Sequence, residues 1–457
     1  MTDREILKYF CTPMKQPFGL QTILLGLLII SAVELSAQSS ERLRIMTYNV
    51  LSYRTTNGQC TGSNNNPTNK DGYIRTIVQY VDPDIIVMNE IGAQPVNSDR
   101  LLTNSLNVTG INKWDQADYS NNSFSNLVNM LFYDSTKVGL HSQTYVERDL
   151  QNSSLVRVID LYRMYYKDPL LYLGGDTVYF TVVALHLKAG NTSADEAARG
   201  RATAALIDYL KTQVDDEAVF ICGDYNTYSA NEPAIQNLVN AGPLSERIYD
   251  PINALGTWNN SPLYANAHTQ STRNSGNTNG GCFSGGGMDD RFDMILVSDA
   301  VVNDASSSVR YVNGSYEVVG NDGNHFNKSI KDAPTNTSAP ALVIDALHDN
   351  SDHLPVTLEF DVDRLVLSTH EFPTIQQLRV QNPVVESLNL RLKANGDSHI
   401  KVLLMDLLGR TVWQQTLEIG SDGWFRVEQA AFTAPAGLYL LQIEGNQWQH
   451  TEKLIKR

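Results

Sequence analysis

Six short stretches of this chain share one design, an apolar run that stops on a residue able to bind a cation or move a proton. They are Thr47-Tyr48-Asn49-Val50, Val87-Met88-Asn89-Glu90, Ala184-Leu185-His186-Leu187-Lys188, Gly223-Asp224-Tyr225-Asn226, Arg291-Phe292-Asp293-Met294-Ile295 and Ser351-Asp352-His353-Leu354-Pro355. Taken singly each is weak. A carboxylate after a strand is more often a cap or turn residue than a ligand, and a lone histidine is more often structural. Taken together they display the carboxylates Glu90, Asp224, Asp293 and Asp352, the imidazoles His186 and His353, and the amides Asn49 and Asn226, all at strand ends. Strands fix position there while loops leave access. Oxygen ligands for a hard cation beside imidazoles suit cation-assisted hydrolysis of a charged ester. No Gly-x-Ser-x-Gly elbow and no Cys–His nucleophile stands out, so a covalent route is not indicated.

The elements that must hold these residues are legible as short apolar runs. Strands are predicted over 43–48, 84–89, 128–133, 177–185, 218–222, 292–297 and 355–360, and helical spacing appears over 73–80 and 195–210. Strands mixed with helices imply an α/β (α+β) domain of layered sheets. Arg199 and Arg201 read as the solvated face of the second helix, whereas Lys188 is a candidate contact for substrate phosphate. Polar loops at 55–71 and 269–288 and an irregular stretch at 301–350 interrupt the domain, and long loops of this kind are functional or disordered. Asn321-Asp322-Gly323 reads as a turn, with a calcium site as the alternative.

Composition bounds the rest. The 457 residues suggest two domains, and 42% hydrophobic residues are ample for a core. A formal charge of −15 argues against a chain-wide basic surface for gripping nucleic acid. It does not exclude a nuclease, because a metal site is itself built from carboxylates. Lys15, the apolar run Ile23–Ile30 and the small residues before Gln38 follow the order of a secretory signal over 1–37, with Met14 as an alternative start. The run is too short for a comfortable membrane span. Export suits the cysteines: Cys222 sits in an apolar strand, and Cys60 and Cys282, each in a polar loop, are a candidate disulfide.

The six segments, in this order, resemble the endonuclease/exonuclease/phosphatase superfamily, whose fold is that of pancreatic deoxyribonuclease. The resemblance covers about 43–361 and implies a four-layer α/β/β/α sandwich. It implies Glu90 as the principal ligand of Mg (Mn or Ca as alternatives), with Asn49 beside it and Asp352 completing the site or binding a second ion. His353 would be the general base or orient the attacking water, held by Asp293. Asp224 and Asn226 would position that water and a phosphoryl oxygen. His186 would donate a hydrogen bond or proton toward the leaving oxygen, a contribution of roughly 10²–10⁴-fold from general acid catalysis. No carboxylate partner for His186 is evident.

Beyond a linker at 362–376 the texture becomes all-β. Asn382-Pro383-Val384, the run Val402–Arg410 ending in Leu-Leu-Gly-Arg, Pro435-Ala436-Gly437-Leu438-Tyr439-Leu440 and the terminal Lys453-Leu454-Ile455-Lys456-Arg457 resemble the type A sorting domain of the Bacteroidetes type IX secretion system, over 377–457. That implies a small Ig-like sandwich with turns at Asp406, Gly409 and Gly437, the type IX machinery as partner, and an enzyme released or left on the cell surface. A substrate-binding sandwich is the alternative, but it lacks an evident aromatic platform. The reading for the whole chain is a monomeric, secreted, metal-dependent phosphodiesterase, with DNA and then RNA as the leading substrates. Its rivals are a phosphodiesterase or phosphatase for sphingomyelin or inositol phosphates, and a non-catalytic surface-binding protein.

Overall fold

The computed structural model describes residues 40–169, 171, 177–214, 218–274, 278–364, 375–394, 399–420, 424–431, 434–445 and 449–457. The expected leader at 1–37 lies outside them. No helix among the described residues is long and apolar enough to cross a membrane. The chain divides into two compact units, the first ending at Arg364.

Along the first unit run β1 (Ser40–Tyr53), α1 (Pro67–Val81), β2 (Ile85–Gly92), α2 (Pro95–Leu101), β3 (Trp114–Gln116), β4 (Leu127–Asp134), β5 (Val138–Arg148), β6 (Ser154–Tyr166), β7 (Tyr179–His186), α3 (Ser193–Gln213), β8 (Val219–Asp224), α4 (Pro233–Val239), β9 (Ile248–Tyr249), β10 (Asp293–Ser298), α5 (Asp299–Val302), β11 (Val309–Tyr311), β12 (Glu317–Val318), α6 (Ala341–Asn350) and β13 (Val356–Asp363). One sheet has the order β11-β13-β1-β2-β4-β3, with β12 also on β13, and the other β5-β6-β7-β8-β10-β9. The sheets face each other across one core. Phe180 and Phe220 of the second sheet meet Phe360 of the first, with ring centroids 5.4 and 4.6 Å apart. Ile74, Ile77 and Val78 of α1 and Ile344 and Leu347 of α6 cover the first sheet. Leu206 of α3 and Ile235 and Leu238 of α4 cover the second. This is the expected four-layer sandwich. Central strands such as Val219–Asp224 are buried along their whole length, which is why they read as unbroken apolar runs.

Both long helices begin earlier than their periodicity predicts, because their first turns are polar and are fixed by caps. The Asn66 side chain accepts from the N–H groups of Thr68 and Asn69, with Pro67 next. Thr192 and Asp195 form a reciprocal capping box for α3. The stretch 301–350, expected to be irregular, instead contains β11, β12 and α6. The α6 run carries Val343, Ile344, Ala346 and Leu347 at helical spacing and packs them inward. Asn321, Asp322 and Gly323 form a turn: the Asn321 amide donates to the Ala265 and His268 carbonyls, and Asp322 pairs with His325 Nδ1 at 2.7 Å.

A polar chain joins the two sheets inside this core. Asn89 Nδ2 donates to Asn129 Oδ1 at 2.8 Å, Asn129 Nδ2 donates to Asp160 Oδ2 at 3.2 Å, and Ser120 Oγ donates to Asp160 Oδ1. Burial pushes Asp160 up to about 7, against the hydrogen bonds from Ser120 and Asn129. The folded state therefore holds this proton more tightly than the unfolded chain. The associated stability is complete at acid pH and is lost as pH rises through about 7. Asp160→Asn keeps an acceptor for Asn129 and turns a donor to the Ser120 hydroxyl. It is expected to shrink the fall in melting temperature between pH 6 and pH 8 by ~2–4 °C, about 1 kcal/mol. Scanning calorimetry of both proteins at the two pH values checks this, and an equal fall in both sinks it.

The second unit is all-β among its described residues: β14 (Ile375–Val380), β15 (Ser387–Ala394), β16 (His399–Met405), β17 (Thr411–Glu418), β18 (Phe425–Ala431), β19 (Gly437–Glu444) and β20 (Gln449–Lys456). Its sheets run β14-β15-β18 and β17-β16-β19-β20, around Leu390, Leu392, Val402, Leu404, Leu441 and Ile443. Asp406 caps the β16–β17 turn by accepting from the Leu408 and Arg410 N–H groups, and Gly409 takes φ +79°. Gly437, expected in a turn, opens β19.

Candidate active site

Strand register alone lines up three of the candidate residues. His186 ends β7 opposite Asp224 of β8, and Asp224 in turn sits opposite Asp293 of β10. Adjacent strands lie roughly 4.8 Å apart, so these three side chains form a row across one end of the second sheet. On the first sheet Asn49 of β1 pairs with Asn89 of β2, one residue before Glu90. The two sheet ends meet at Asp224. Its Oδ2 accepts from Asn49 Nδ2 at 3.0 Å and lies 3.5 Å from His186 Nε2 and 3.9 Å from His353 Nε2. Its Oδ1 accepts from the Asn226 N–H at 2.9 Å. Loss of water raises the Asp224 carboxyl to about 7. Nearby His353 opposes that rise, and Asp293 and Glu90 add to it.

Glu90 stands at a left-handed turn, φ +63°, as do Leu51 and Ser52 at +45° and +48°. Such backbone costs about 1–3 kcal/mol per residue and persists only when its surroundings over-determine it. Here they do. Ser52 N–H donates to Glu90 Oε2 at 2.9 Å, Asn49 Nδ2 donates to Glu90 Oε1 at 3.2 Å, and Leu51 N–H donates to Asn49 Oδ1 at 3.0 Å. Asn49 thus turns its amide nitrogen toward the carboxylates. From the other side, Ser351 Oγ donates to the Asn49 carbonyl at 2.7 Å and docks the Asp352-His353 segment onto β1. Asp352 Oδ2 accepts from Ser284 N–H at 2.8 Å, while its buried Oδ1 has no partner among the described residues.

The two imidazoles differ. His353 Nδ1 sits 2.7 Å from Asp293 Oδ2. Burial opposes a charge on this ring, but Asp293, Asp224 and Asp352 outweigh it and hold its pKa well above the usual value. Gln270 Nε2 lies 2.7 Å from His353 Nε2, and a charged ring requires the amide turned so that its oxygen accepts there. His186 goes the other way: burial, with Arg157 and His353 nearby, drops its pKa well below the usual value. Its buried Nδ1 has no partner among the described residues and its Nε2 lies 3.5 Å from Asp224 Oδ2, an arrangement that suits a neutral ring with its proton on Nε2. The sequence left His186 to donate either a hydrogen bond or a proton, and the lowered pKa favours the hydrogen bond.

Residues 46–321 match the model of the endonuclease/exonuclease/phosphatase family. The chain belongs to that family. Residues 382–457 match the secretion system C-terminal sorting domain, so the hydrolase carries a type IX tail that directs it to the exterior or the cell surface. Similar solved structures include an endonuclease/exonuclease/phosphatase family protein from Bacteroides thetaiotaomicron (15% identity, TM-score 0.45, covering 72% of this chain and 97% of that one). A mannosyl-6-phosphatase from the same organism gives 15% identity and TM-score 0.42, over 70% and 99%. D. rerio TDP2 complexed with single strand DNA product gives 11% and 0.43, over 70% and 98%. No curated protein matches the sequence significantly.

Members of this family are generally dependent on a divalent metal, and the residues present fit one. Glu90 and Asp352 offer hard oxygen donors, and the orphaned Asp352 Oδ1 is a buried acceptor awaiting a partner. Asp224, Asp293 and His353 also bring ligand atoms within 4.8 Å of one another. Within that set His353 Nδ1 is already hydrogen-bonded to Asp293 Oδ2.

Of the other expectations, Lys188 binds Asp195 at 2.9 Å and the Ala189 carbonyl at 2.6 Å. Arg201 is half exposed against Asp149. Arg199 is not on a solvated face. It is fully buried, paired with Glu232 at 2.7 Å, and it donates to the Lys188 and Gly190 carbonyls, so it anchors the loop after His186. Cys60 and Cys282 are bonded, with Cα atoms 4.4 Å apart, and Cys222 is a buried free thiol.

Three site residues escaped the sequence reading. Lys70, on α1, is fully buried, donates to the Asn350 carbonyl, and has its pKa lowered to about 7 by burial, with Asp352 and Glu90 opposing. Gln270 lies in a loop without periodicity. Arg157 donates to the Leu187 carbonyl at 3.2 Å and lines a cleft of about 330 Å³ with His186, Lys188 and Arg201.

Proposed function

We propose that the catalytic unit is an exported, Mg-dependent phosphodiesterase that cuts extracellular DNA, with RNA as a second substrate. The observation that carries this reading is the convergence of six strand-end segments on Asp224, with a neutral imidazole on one side and a charged one on the other. Glu90 and Asp352, steadied by Asn49, are the ligands for the cation. Bound there, the cation supplies neutralisation of charge on the phosphoryl group and acidification of water. Asp224, with its carboxyl near pH 7, takes the proton from the attacking water, and Asn226 fixes its orientation. The His353 imidazolium, held by Asp293, faces a phosphoryl oxygen. Neutral His186 donates its Nε2–H to an oxygen of the phosphate. The cleft beside His186 holds Arg157 together with Lys188 and Arg201, which are paired with Asp195 and Asp149, and Arg157 is the cation it offers a neighbouring anionic group.

Purified secreted protein is expected to nick supercoiled plasmid in Mg²⁺, to stop in EDTA and to resume with excess Mg²⁺. Release of choline phosphate from sphingomyelin with no cutting of DNA would replace the nuclease reading. Silence on a broad phosphoester panel would remove the hydrolase reading altogether.

A further inference from the structure

The disulfide lies beside the cation ligands on both of its arms. On one arm, Cys60 packs in a small buried cluster with Leu51, Cys282 and Phe283. Leu51 is the left-handed residue before Ser52, whose N–H holds Glu90. The same loop returns at Asn65, whose amide donates to the Leu51 and Ser52 carbonyls at 2.9 and 3.2 Å. On the other arm, Cys282 stands two residues before Ser284, whose N–H is the donor to Asp352 Oδ2 at 2.8 Å. Phe283 between them carries the Arg273 guanidinium over its ring at 4.1 Å. Two strained or irregular backbone segments thus each present one N–H to one carboxylate. One covalent bond, closing a separation of 222 residues, fixes both.

We propose that the Cys60–Cys282 disulfide is a positioning element of the metal site. It sets the Ser52 and Ser284 N–H groups that aim Glu90 and Asp352, so cation affinity depends on it. The inference rests on these two carboxylates being the ligands. Groups that orient metal ligands change affinity by roughly 10–100-fold when removed, which is the effect expected here. Because such bonds form in oxidising compartments, the enzyme gains its full affinity for the cation only after export.

The test is Mn²⁺ binding, followed by the paramagnetic resonance of the free ion, with the full exported chain at a temperature well below unfolding. Cys60→Ser/Cys282→Ser is expected to bind Mn²⁺ about 10–100-fold more weakly than the parent. Ser284→Pro, which removes the N–H donor to Asp352 and fixes φ there, is expected to weaken binding in the same direction, while Ser284→Ala, which keeps that donor, binds as the parent does. Unchanged Mn²⁺ affinity in the double serine variant, with only its melting temperature lowered, overturns the proposal and leaves the bond a plain staple. Equal weakening by Ser284→Ala and Ser284→Pro also overturns it, since the side chain and not the backbone donor would then matter. A parent protein that binds no Mn²⁺ overturns this proposal and the ligand assignment together.

Discussion

Asp224→Asn is expected to lower kcat by about 10²–10⁴-fold with little change in KM. The amide is isosteric, and its single oxygen keeps one of the two hydrogen bonds that the carboxylate accepts on separate oxygens, from Asn49 Nδ2 and from the Asn226 N–H, so the change in the pocket is confined to the other contact. What it loses is the ability to take a proton. Asp224 suits that task because burial, with Asp293 and Glu90 beside it, brings its carboxyl to about 7 even against His353. The sign of the pH dependence follows. Below that value the carboxyl is protonated and cannot act as a base, so the parent rate should fall about tenfold per pH unit on the acid side. The variant should lose this acid limb along with its rate. Hydrolysis of bis-(p-nitrophenyl) phosphate from pH 5 to pH 9 measures both. A variant that keeps more than about a tenth of kcat, with the acid limb unmoved, would assign the base elsewhere.

Glu90→Gln is the second large effect. The substitution removes the charge that binds the cation but leaves an acceptor for the Ser52 N–H. Activity at about 1 mM Mg²⁺ should fall roughly 10²-fold or more and recover in part as Mg²⁺ is raised. Stability should not fall with it. Glu90 is one of the carboxylates that raise Asp224, so removing its charge relieves repulsion inside the pocket. A melting temperature equal to or above that of the parent, alongside the lost activity, separates loss of a ligand from loss of the fold. A variant that loses activity, fails to recover with Mg²⁺ and melts early would mark Glu90 as structural.

The sequence made the site visible in one respect and hid it in another. Residues at strand ends were legible because a strand buried on both faces reads as an apolar run, and the first polar residue after it stands out. His186, Asp224 and Asp293 then meet through register, which follows from strand order. Lys70 was invisible because a lysine among polar neighbours at a helix start looks solvated, and only the docking of α6 over α1 buries it. Arg199 was misread for the same reason, since Glu232 of the segment before α4 takes it inside. Gln270 had no signal at all. Its place beside His353 comes from backbone pairing with Asp290 on one side and His353 on the other, in a loop with no periodicity. The β5–β6 hairpin was missed because His141, Arg148, Arg157 and Arg163 break its apolar alternation. α6 was missed because ten helical residues sit inside a long polar stretch.

The first and last strands of the catalytic unit are zipped together, Ser40 against Asp363 through Thr47 against Val356. Asn49 lies just past the Thr47–Val356 end of this seam, and Asp352 and His353 lie just before that same end on the partner strand. A nascent chain still on the ribosome, or a clipped copy ending before residue 351, already carries Glu90, His186 and Asp224 but has neither the closing strand nor the charged imidazole. Topology therefore leaves the pocket around Asp224 unfinished until the whole unit has been synthesised.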